Sequence, residues 1–242
     1  MAIELTIEEI LQGGLSLIFI IISLIIGIKL LLKYKKNPER TVVLAGLTWI
    51  FIVSPWFNTG FNFLVVLITG NSMPDLIYFL IGYIWPPVAL YFWLSVFTLF
   101  LYEKKRKLIL SAAIVQGILY EFFLIFFAFT DLTIVGQKIS LFNDELSLPF
   151  SLYMLGLLVI SLFTGILFGR ESLKANSEEL KLKGKFIIIA WISFFIGAIF
   201  DAGIIELSPL LLIIVRILLI SSAVEFYFGF FLPRWIKDVF IK

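Results

Sequence analysis

The stretch LQGGLSLIFIIISLIIGIKLLLKYKK (Leu11–Lys36) is an apolar run that ends in a cluster of lysines. An α-helix rises about 1.5 Å per residue, so roughly 20 residues cross the hydrocarbon core of a bilayer, which is about 30 Å thick. Thr6 and Glu9 precede the run with the spacing of a capping box, in which each side chain bonds to the backbone N–H of the other residue. The stretch therefore predicts a transmembrane helix that begins just before Leu11 and ends at basic residues.

Six further apolar runs follow along the chain. The chain is 61% hydrophobic and 15% charged, whereas soluble domains are about a quarter charged. We predict an all-α fold: a polytopic membrane protein in which residues 1–242 form a single domain, a bundle of seven transmembrane helices. Seven runs with short connections occupy the 242 residues, so no kinase, nuclease or nucleotide-binding domain is expected within them. The predicted spans are approximately 11–32, 41–69, 76–101, 108–129, 148–168, 186–200 and 209–232.

The basic residues lie almost entirely in alternate connections. Lysines and arginines follow the first, third, fifth and seventh runs, and only Lys29, Lys138 and Arg216 lie elsewhere. Because cytoplasmic loops carry an excess of lysine and arginine, this pattern predicts an N-terminus outside the cytoplasm and a C-terminus inside. It also requires an odd number of crossings. The loop residues behind this prediction are Lys33, Lys35, Lys36, Arg40, Lys104, Lys105, Arg106, Lys107, Arg170, Lys174, Lys181, Lys183, Lys185, Arg234, Lys237 and Lys242 on the basic side, and Asp75, Asp131, Asp144, Glu145, Asp201 and Glu206 on the other.

Two of the predicted helices contain prolines. The second run is longer than a bilayer requires and contains Pro55, so this helix either kinks there or breaks and continues along the outer interface. The third run contains Pro86 and Pro87 and is expected to bend near mid-membrane. Most aromatic residues around these bends are interpreted as packing and interface anchors. The alternative is that they line an apolar pocket that opens outward, since bent helices leave cavities in a bundle.

Charged residues within the outer halves of the spans form the main candidate site. Charges in a membrane are costly and mark either a structural partner or a functional site. Arg216 and Glu121 lie at a similar predicted depth, and Arg216 can also reach Asp201 at the outer end of the sixth span. Gln116 and Tyr120 continue the polar stripe of Glu121 at helical spacing. We therefore expect Arg216 to meet Glu121 or Asp201, either as an architectural ion pair or as a ligand or proton site.

A second candidate pair lies in the inner halves of the spans. Glu225 follows Arg216 by about two and a half helical turns. The two side chains therefore point to opposite sides of the last helix. Lys29 lies near the inner boundary of the first span, where its long side chain can reach the headgroups. A Glu225–Lys29 contact that closes the last helix on the first is one hypothesis for these residues.

The missing residue types exclude several classes of chemistry. The chain has no cysteine and no histidine, which removes thiol catalysis, iron–sulfur ligation, ordinary haem ligation and the common zinc geometries. We therefore expect no cofactor, no metal site and no catalytic residue set. The net charge of +2 gives no reason to expect a nucleic-acid partner, whereas the lipid bilayer is an expected partner. Oligomeric state is left open.

The layout resembles that of seven-helix receptors, of stand-alone versions of the seven-span input halves of sensor histidine kinases, and of small orphan seven-span proteins of archaea. The segments GRESLKANSEELKLKGKF (Gly169–Phe186) and RILLISSAVEFYFGFFLP (Arg216–Pro233) carry this resemblance together with the span number and the short loops. It implies a sensor in the cell membrane of a prokaryote. Such a sensor would bind a small apolar ligand among helices two, three, six and seven, and its basic inner loops would signal to a separate cytoplasmic partner.

Other members of the seven-helix class are a poor match. Retinal proteins carry a Schiff-base lysine in the last helix, and residues 209–232 contain none, so retinal is not expected. The large eukaryotic receptor family has Asp-Arg-Tyr where Tyr102-Glu103-Lys104 stands here, and its Asn-Pro-x-x-Tyr motif is missing. Two alternatives to a sensor stay open. One is a transporter or an intramembrane lipid-modifying enzyme that uses the buried carboxylates, and the other is an accessory subunit of a membrane complex.

Overall fold

The computed structural model describes residues 4–34, 38–202 and 207–241. The basic loop residues Lys35, Lys36 and Lys242 and the acidic loop residue Glu206 lie outside the described residues. Within them the chain forms ten α-helices and one β-hairpin: α1 (Ile7–Lys33), α2 (Arg40–Ile52), α3 (Phe57–Thr69), α4 (Asp75–Tyr83), α5 (Pro86–Phe100), α6 (Arg106–Thr130), β1 (Gly136–Ser140), β2 (Asn143–Leu146), α7 (Leu148–Leu173), α8 (Glu178–Asp201), α9 (Pro209–Phe230) and α10 (Arg234–Phe240).

Seven helical segments of this part of the chain are long and apolar enough to cross a membrane. This confirms the predicted number of long apolar helices and marks the chain as a membrane protein. Thr6 and Glu9 form the predicted capping box, with Thr6 N–H donating to Glu9 Oε2 at 2.8 Å and Glu9 N–H donating to Thr6 Oγ1 at 3.2 Å. The segments are Ile7–Lys33, Arg40–Thr69, Asp75–Phe100, Glu103–Thr130, Leu148–Leu173, Glu178–Asp201 and Pro209–Phe230.

Helical structure is interrupted in the second and third segments. The second consists of α2, a 3₁₀ turn at Ser54–Trp56, and α3. Pro55 has no N–H to continue the α-helical bonding, which explains the change at this point. α3 nevertheless packs within the bundle, because Gly60 lies directly against the backbone of Leu17 in α1. The third segment consists of α4 and α5, and α5 begins with Pro86, a position where the missing N–H is not needed.

The two ends of the bundle carry different connections. The hairpin end carries β1 and β2, and Phe142 in their turn packs edge-on against Phe63 of α3, with ring centroids 5.6 Å apart. The basic end carries the connections after α1, α5, α7 and α9. There Lys237 of α10 pairs with Glu179 near the start of α8 at 2.6 Å, so α10 is tied to the bundle by an ion pair.

The hairpin is the non-helical element of the described fold. β1 and β2 are antiparallel, with Lys138 opposite Asp144 and Gly136 opposite Leu146. The all-α prediction therefore applies to the membrane-crossing segments, and the connection between α6 and α7 adds a small β-structure that was not predicted. Phe142 is buried against α3, so the hairpin folds onto the bundle.

Glycines allow the closest helix contacts. A Cβ atom at Gly197 of α8 would lie 2.7 Å from Leu219 of α9, and one at Gly184 of α8 would lie 2.7 Å from the carbonyl oxygen of Gly169 in α7. No side chain larger than hydrogen fits at such separations without movement. Small residues at helix crossings let backbones approach closely, which is how helices associate where lipid supplies no hydrophobic driving force.

The centre of the bundle is built from aromatic rings. Trp49 of α2 stacks on Phe226 of α9 with centroids 4.3 Å apart, and Trp93 of α5 meets Trp191 of α8 at 4.7 Å. All four side chains are fully buried. By contrast, α6 exposes a continuous apolar face, as expected for a helix at the lipid-facing periphery. This face includes Ile114, Val115, Ile118, Leu119, Phe122, Phe123, Phe126 and Phe129.

Candidate functional site

A cavity of about 370 Å³ lies at the hairpin end of the bundle. Its walls come from the two helix interruptions, represented by Pro55 and Pro86, and from α7, α8, α9 and the hairpin. This volume falls within the range that holds small organic ligands. The aliphatic part of the wall includes Leu90, Leu155, Leu158 and Ile199, and the polar part includes Gln12, Trp56, Thr59, Asp144, Asp201 and Arg216.

Asp201 joins three membrane-crossing segments in the wall of this cavity. Its Oδ1 atom lies 3.1 Å from Nη2 of Arg216 on α9. Its Oδ2 atom accepts a hydrogen bond from the indole N–H of Trp56, in the 3₁₀ turn between α2 and α3. The last residue of α8 therefore connects α9 to the interruption in the second segment. Of the two partners considered for Arg216, the structure brings Asp201 to it.

Arg216 is buried, and part of its hydrogen-bond donor capacity is unused. The residue is 1% exposed. Its Nε and Nη1 atoms have no hydrogen-bond acceptor among residues 4–34, 38–202 and 207–241. The two Asp201 oxygens contact Nη2 of Arg216 and the indole N–H of Trp56, and neither accepts from Nε or Nη1. A buried guanidinium that lacks acceptors is energetically unfavourable, and a group of this kind in a cavity wall is a candidate for contact with a ligand.

Asp144 forms a second polar centre in the cavity wall. Its Oδ1 atom accepts hydrogen bonds from Nδ2 of Asn58 at 3.1 Å and from the hydroxyl of Tyr78 at 3.0 Å, and its Oδ2 atom accepts from the hydroxyl of Tyr83 at 2.6 Å. Burial raises the pKa of the Asp144 carboxyl above its usual value, although these hydrogen bonds and the charge of Lys138 act in the opposite direction. A carboxylate of the hairpin thus connects β2 to α3 and α4.

Further polar contacts hold the hairpin in place. Asn62 of α3 donates to the carbonyl oxygen of Leu141 at 2.7 Å, and Thr59 donates to that of Phe142 at 3.1 Å. Lys138 donates to Ser72 Oγ at 2.8 Å, and its Nζ lies 3.3 Å from Asp75. These contacts hold the hairpin against α3, the α3–α4 connection and the start of α4.

Glu121, Gln116 and Tyr120 lie in a different part of the bundle. Tyr120 stacks on Tyr153 of α7 at 4.0 Å, and Gln116 Oε1 accepts from the Tyr153 hydroxyl at 2.6 Å. The hydroxyl of Tyr120 donates to the carbonyl oxygen of Tyr83 at 3.0 Å. Both Glu121 carboxylate oxygens lack a hydrogen-bond partner among the described residues, and no ion pair joins Glu121 to Arg216 there. Tyr120 is thus joined to the Asp144 centre through Tyr83, whereas Glu121 has no hydrogen bond to that centre or to the cavity residues in the described part of the chain.

The inner-half residues are also separate. Within the described chain no salt bridge of 4 Å or less joins Glu225 to Lys29. Lys29 is exposed on α1, as a side chain that reaches toward headgroups would be. Glu225 Oε2 is buried and has no hydrogen-bond partner among the residues that the structure describes. The same residues contain no group of three or more His, Cys, Asp or Glu arranged to hold a metal ion.

Sequence reasoning missed the Asp144 centre. The charge pattern marks Asp144 only as an acid on the non-basic side, and the predicted spans 41–69 and 76–101 include its partners Asn58, Tyr78 and Tyr83 as members of apolar runs. One signal was present: Asn58 and Asn62 are spaced i, i+4 within an otherwise apolar run. Polar amides on one face of a transmembrane helix require partners, and the nearest loops could have supplied them.

Comparisons with known proteins give no further assignment. No protein-family model, no curated protein and no solved structure matches the chain. The function is therefore inferred from the cavity, its residues and the distribution of charge along the chain.

Proposed function

We propose that the chain is a receptor- or sensor-like protein of a prokaryotic cell membrane, with its hairpin end outside and its basic end in the cytoplasm. A small, largely apolar ligand binds in the cavity, and the basic end passes the change to a separate cytoplasmic protein. The distribution of lysine and arginine supports this orientation.

One observation carries the proposal: the cavity is bounded by the interruptions of two helices. Pro55 and Trp56 of the second segment and Pro86 of the third line the same space. Where α-helical hydrogen bonding is interrupted, a helix bends more easily than elsewhere. A ligand that contacts these residues therefore acts on the two points where the bundle is most deformable.

A continuous set of contacts leads from the cavity toward the basic end. Trp56 lies in the wall, and α2 runs from this point toward the basic end. On α2, Trp49 is stacked on Phe226 of α9 and contacts Phe194 of α8. A tilt of α2 at Pro55 would therefore displace α8 and α9, and α8 holds α10 through Glu179. Ligand binding needs only a preference for one of two such arrangements to shift their populations.

The proposal is tested by electron–electron distance measurements between spin labels at the basic end. The native chain has no cysteine, so Lys104→Cys and Lys174→Cys give a specifically labelled pair. Ala198→Phe, which places a ring in the cavity wall, is expected to mimic occupation and shift the distance distribution. Val159→Phe places the same ring on the exposed face of α7 and serves as the control.

The signalling part needs its own readout. Lys104→Gln, Lys105→Gln and Lys107→Gln together remove positive charge from one basic connection. We expect the native chain to co-purify a cytoplasmic protein that this triple variant does not recover. An unchanged spin-label distance in Ala198→Phe, or recovery of the same proteins by both chains, would contradict the sensor function.

A further inference from the structure

The polar part of the cavity wall determines which chemical group a ligand can present. This inference rests on the proposed function, because it names the class of molecule that the cavity receives. The decisive residues are Arg216 and the carboxylates Asp201, Asp144 and Glu145, all of which line the cavity. Among the described lining residues Arg216 is the cation, and the three carboxylates outnumber it.

Arg216 requires a hydrogen-bond acceptor. Its Nη2 atom faces Asp201, whose second oxygen is taken by Trp56, and its Nε and Nη1 atoms have no acceptor in the described part of the chain. Both atoms are shielded in this arrangement, and Arg216 lines the cavity, so binding requires the guanidinium to turn toward a ligand that brings an acceptor. Because guanidinium nitrogens donate and never accept, the ligand group opposite Arg216 must carry an oxygen or a comparable acceptor.

The charge of the wall disfavours an anion. A carboxylate or phosphate brought to Arg216 would lie near Asp201 and would enter a cavity that also contains Asp144 and Glu145. Repulsion between like charges is strong where little water screens it. The positive charge of Arg216 is already balanced by Asp201 at 3.1 Å, so no net cation remains to offset that repulsion.

A cation is disfavoured for a different reason. An ammonium group carries donors only, so it leaves the Arg216 nitrogens without an acceptor. Each oxygen of Asp201 and Asp144 already has at least one donor, so an ammonium would compete with contacts that these carboxylates make in the structure. Glu145 is exposed, and its attraction for a cation is weakened by solvent.

The remaining wall favours an apolar body. Leu152 and Leu155 of α7 line the cavity and are 57% and 40% exposed. They belong to the same exposed apolar face of α7 as Leu148 and Val159, at the i, i+3, i+4 spacing of one helix side. The apolar wall of the cavity is therefore continuous with the lipid-facing side of the bundle, and an apolar molecule can arrive from the bilayer.

We propose that the cavity binds an uncharged lipophilic molecule that carries an oxygen acceptor, such as a ketone, ester or amide carbonyl, paired with Arg216. The apolar body of this molecule lies along Leu155, Leu158 and Ile199. Binding of this kind satisfies the buried guanidinium without adding charge to a wall that already contains three carboxylates.

The test compares four eleven-carbon probes: 2-undecanone, undecanoate, undecylamine and undecane. Retention of each probe is measured by equilibrium dialysis on nanodiscs that contain the full chain, and retention by empty nanodiscs is subtracted to remove bilayer partitioning. We expect saturable binding of 2-undecanone at one site per chain, at least about tenfold tighter than that of the other probes, as one hydrogen bond to a charged group provides. Tighter binding of undecanoate or undecylamine, or equal binding of undecane, would overturn the inference.

Two variants locate the site. Arg216→Met removes the donors at similar volume and is expected to weaken 2-undecanone binding about tenfold while leaving undecane unchanged. Ala198→Phe narrows the cavity and is expected to abolish saturable binding of every probe. The order of affinities for the four probes is measured on the native chain. It therefore tests the inference even if Arg216→Met does not fold.

Failure of this inference can be distinguished from failure of the sensor function. Selective binding of 2-undecanone without a change in the Lys104→Cys to Lys174→Cys spin distance would retain the ligand class and refute the signalling. A distance change in Ala198→Phe together with no preference for 2-undecanone would retain the signalling and refute the ligand class.

Discussion

Removal of the Asp144 side chain should loosen the hairpin and lower the stability of the whole chain. In Asp144→Ala, the hydroxyl of Tyr83 and Nδ2 of Asn58 each lose the acceptor that they have in the structure. The hydroxyl of Tyr78 keeps Thr59 as a neighbour at 3.2 Å. A buried donor left without an acceptor costs about 1–3 kcal/mol, so two such donors lower the free energy of unfolding by about 3 kcal/mol.

Asp144→Asn should cost much less. The amide oxygen still accepts from one or two of the three donors, and the uncharged side chain avoids the cost of burying a carboxylate. We expect a loss of about 1 kcal/mol or less. Thermal or denaturant unfolding in detergent, followed by tryptophan fluorescence, measures both variants against the native chain. Equal losses in the alanine and asparagine variants would show that the hydrogen bonds are not the source of the effect.

The difference in stability between the native chain and Asp144→Asn should depend on pH, with a definite sign. Because burial raises the pKa of Asp144 in the folded chain, the folded state binds this proton more tightly than the unfolded state. The contribution to stability is fully present below the usual pKa of an aspartate, and it is lost as the pH rises through the raised folded value. The native chain should therefore gain stability relative to Asp144→Asn as the pH is lowered from neutral toward 4. A difference between the two that is constant with pH would refute the assignment of a buried, weakly acidic carboxyl.

Three further outcomes follow from the structure. Gly197→Ala should lower the free energy of unfolding by about 1–3 kcal/mol, because its Cβ would lie 2.7 Å from Leu219; Gly156→Ala, whose Cβ meets no atom within 4 Å, is the control and should cost nothing in the same unfolding assay. With the proposed orientation, Ile139→Cys on the hairpin should react with a membrane-impermeant maleimide in intact cells, whereas Lys104→Cys should react only after the cells are opened, and the opposite result would reverse the topology. Glu179→Gln removes the ion pairs to Lys183 and Lys237. Because these ion pairs are partly exposed, the free energy of unfolding should change by about 0.5 kcal/mol at most. A loss of several kcal/mol on denaturant unfolding would show that the contact of α10 is not a surface ion pair.

Local features of the chain were predictable because they depend on composition and on near neighbours. The seven apolar runs produce seven helices that can cross a membrane, since lipid requires each crossing segment to bond its own backbone. The capping box at Thr6 and Glu9 depends on residues three positions apart. The interruptions near Pro55 and Pro86 depend on the missing N–H of proline.

For contacts between distant segments, the sequence limits the candidate partners of a residue but does not decide between them. Arg216 had two candidate partners at a similar depth, and depth alone does not give the rotation of one helix against another. In the structure, α8 and α9 are neighbours that approach closely at Gly197, which brings Asp201 to Arg216. Glu121 lies on α6, and among the described residues no ion pair joins it to Arg216.

The sequence by itself determined the apolar character of the chain, the number of helical segments long enough to cross a membrane, the positions of the helix interruptions and the end of the bundle at which the basic residues gather. These follow from the hydropathy and covalent structure of each segment and need no knowledge of its neighbours. Only the tertiary structure decided that a loop carboxylate, Asp144, enters the bundle, and that Trp56, Asp201 and Arg216 meet in the wall of one cavity. A buried polar group must find partners wherever packing places them, and that placement is a property of the whole bundle, because it depends on the rotation and the close approach of helices that are far apart in the chain.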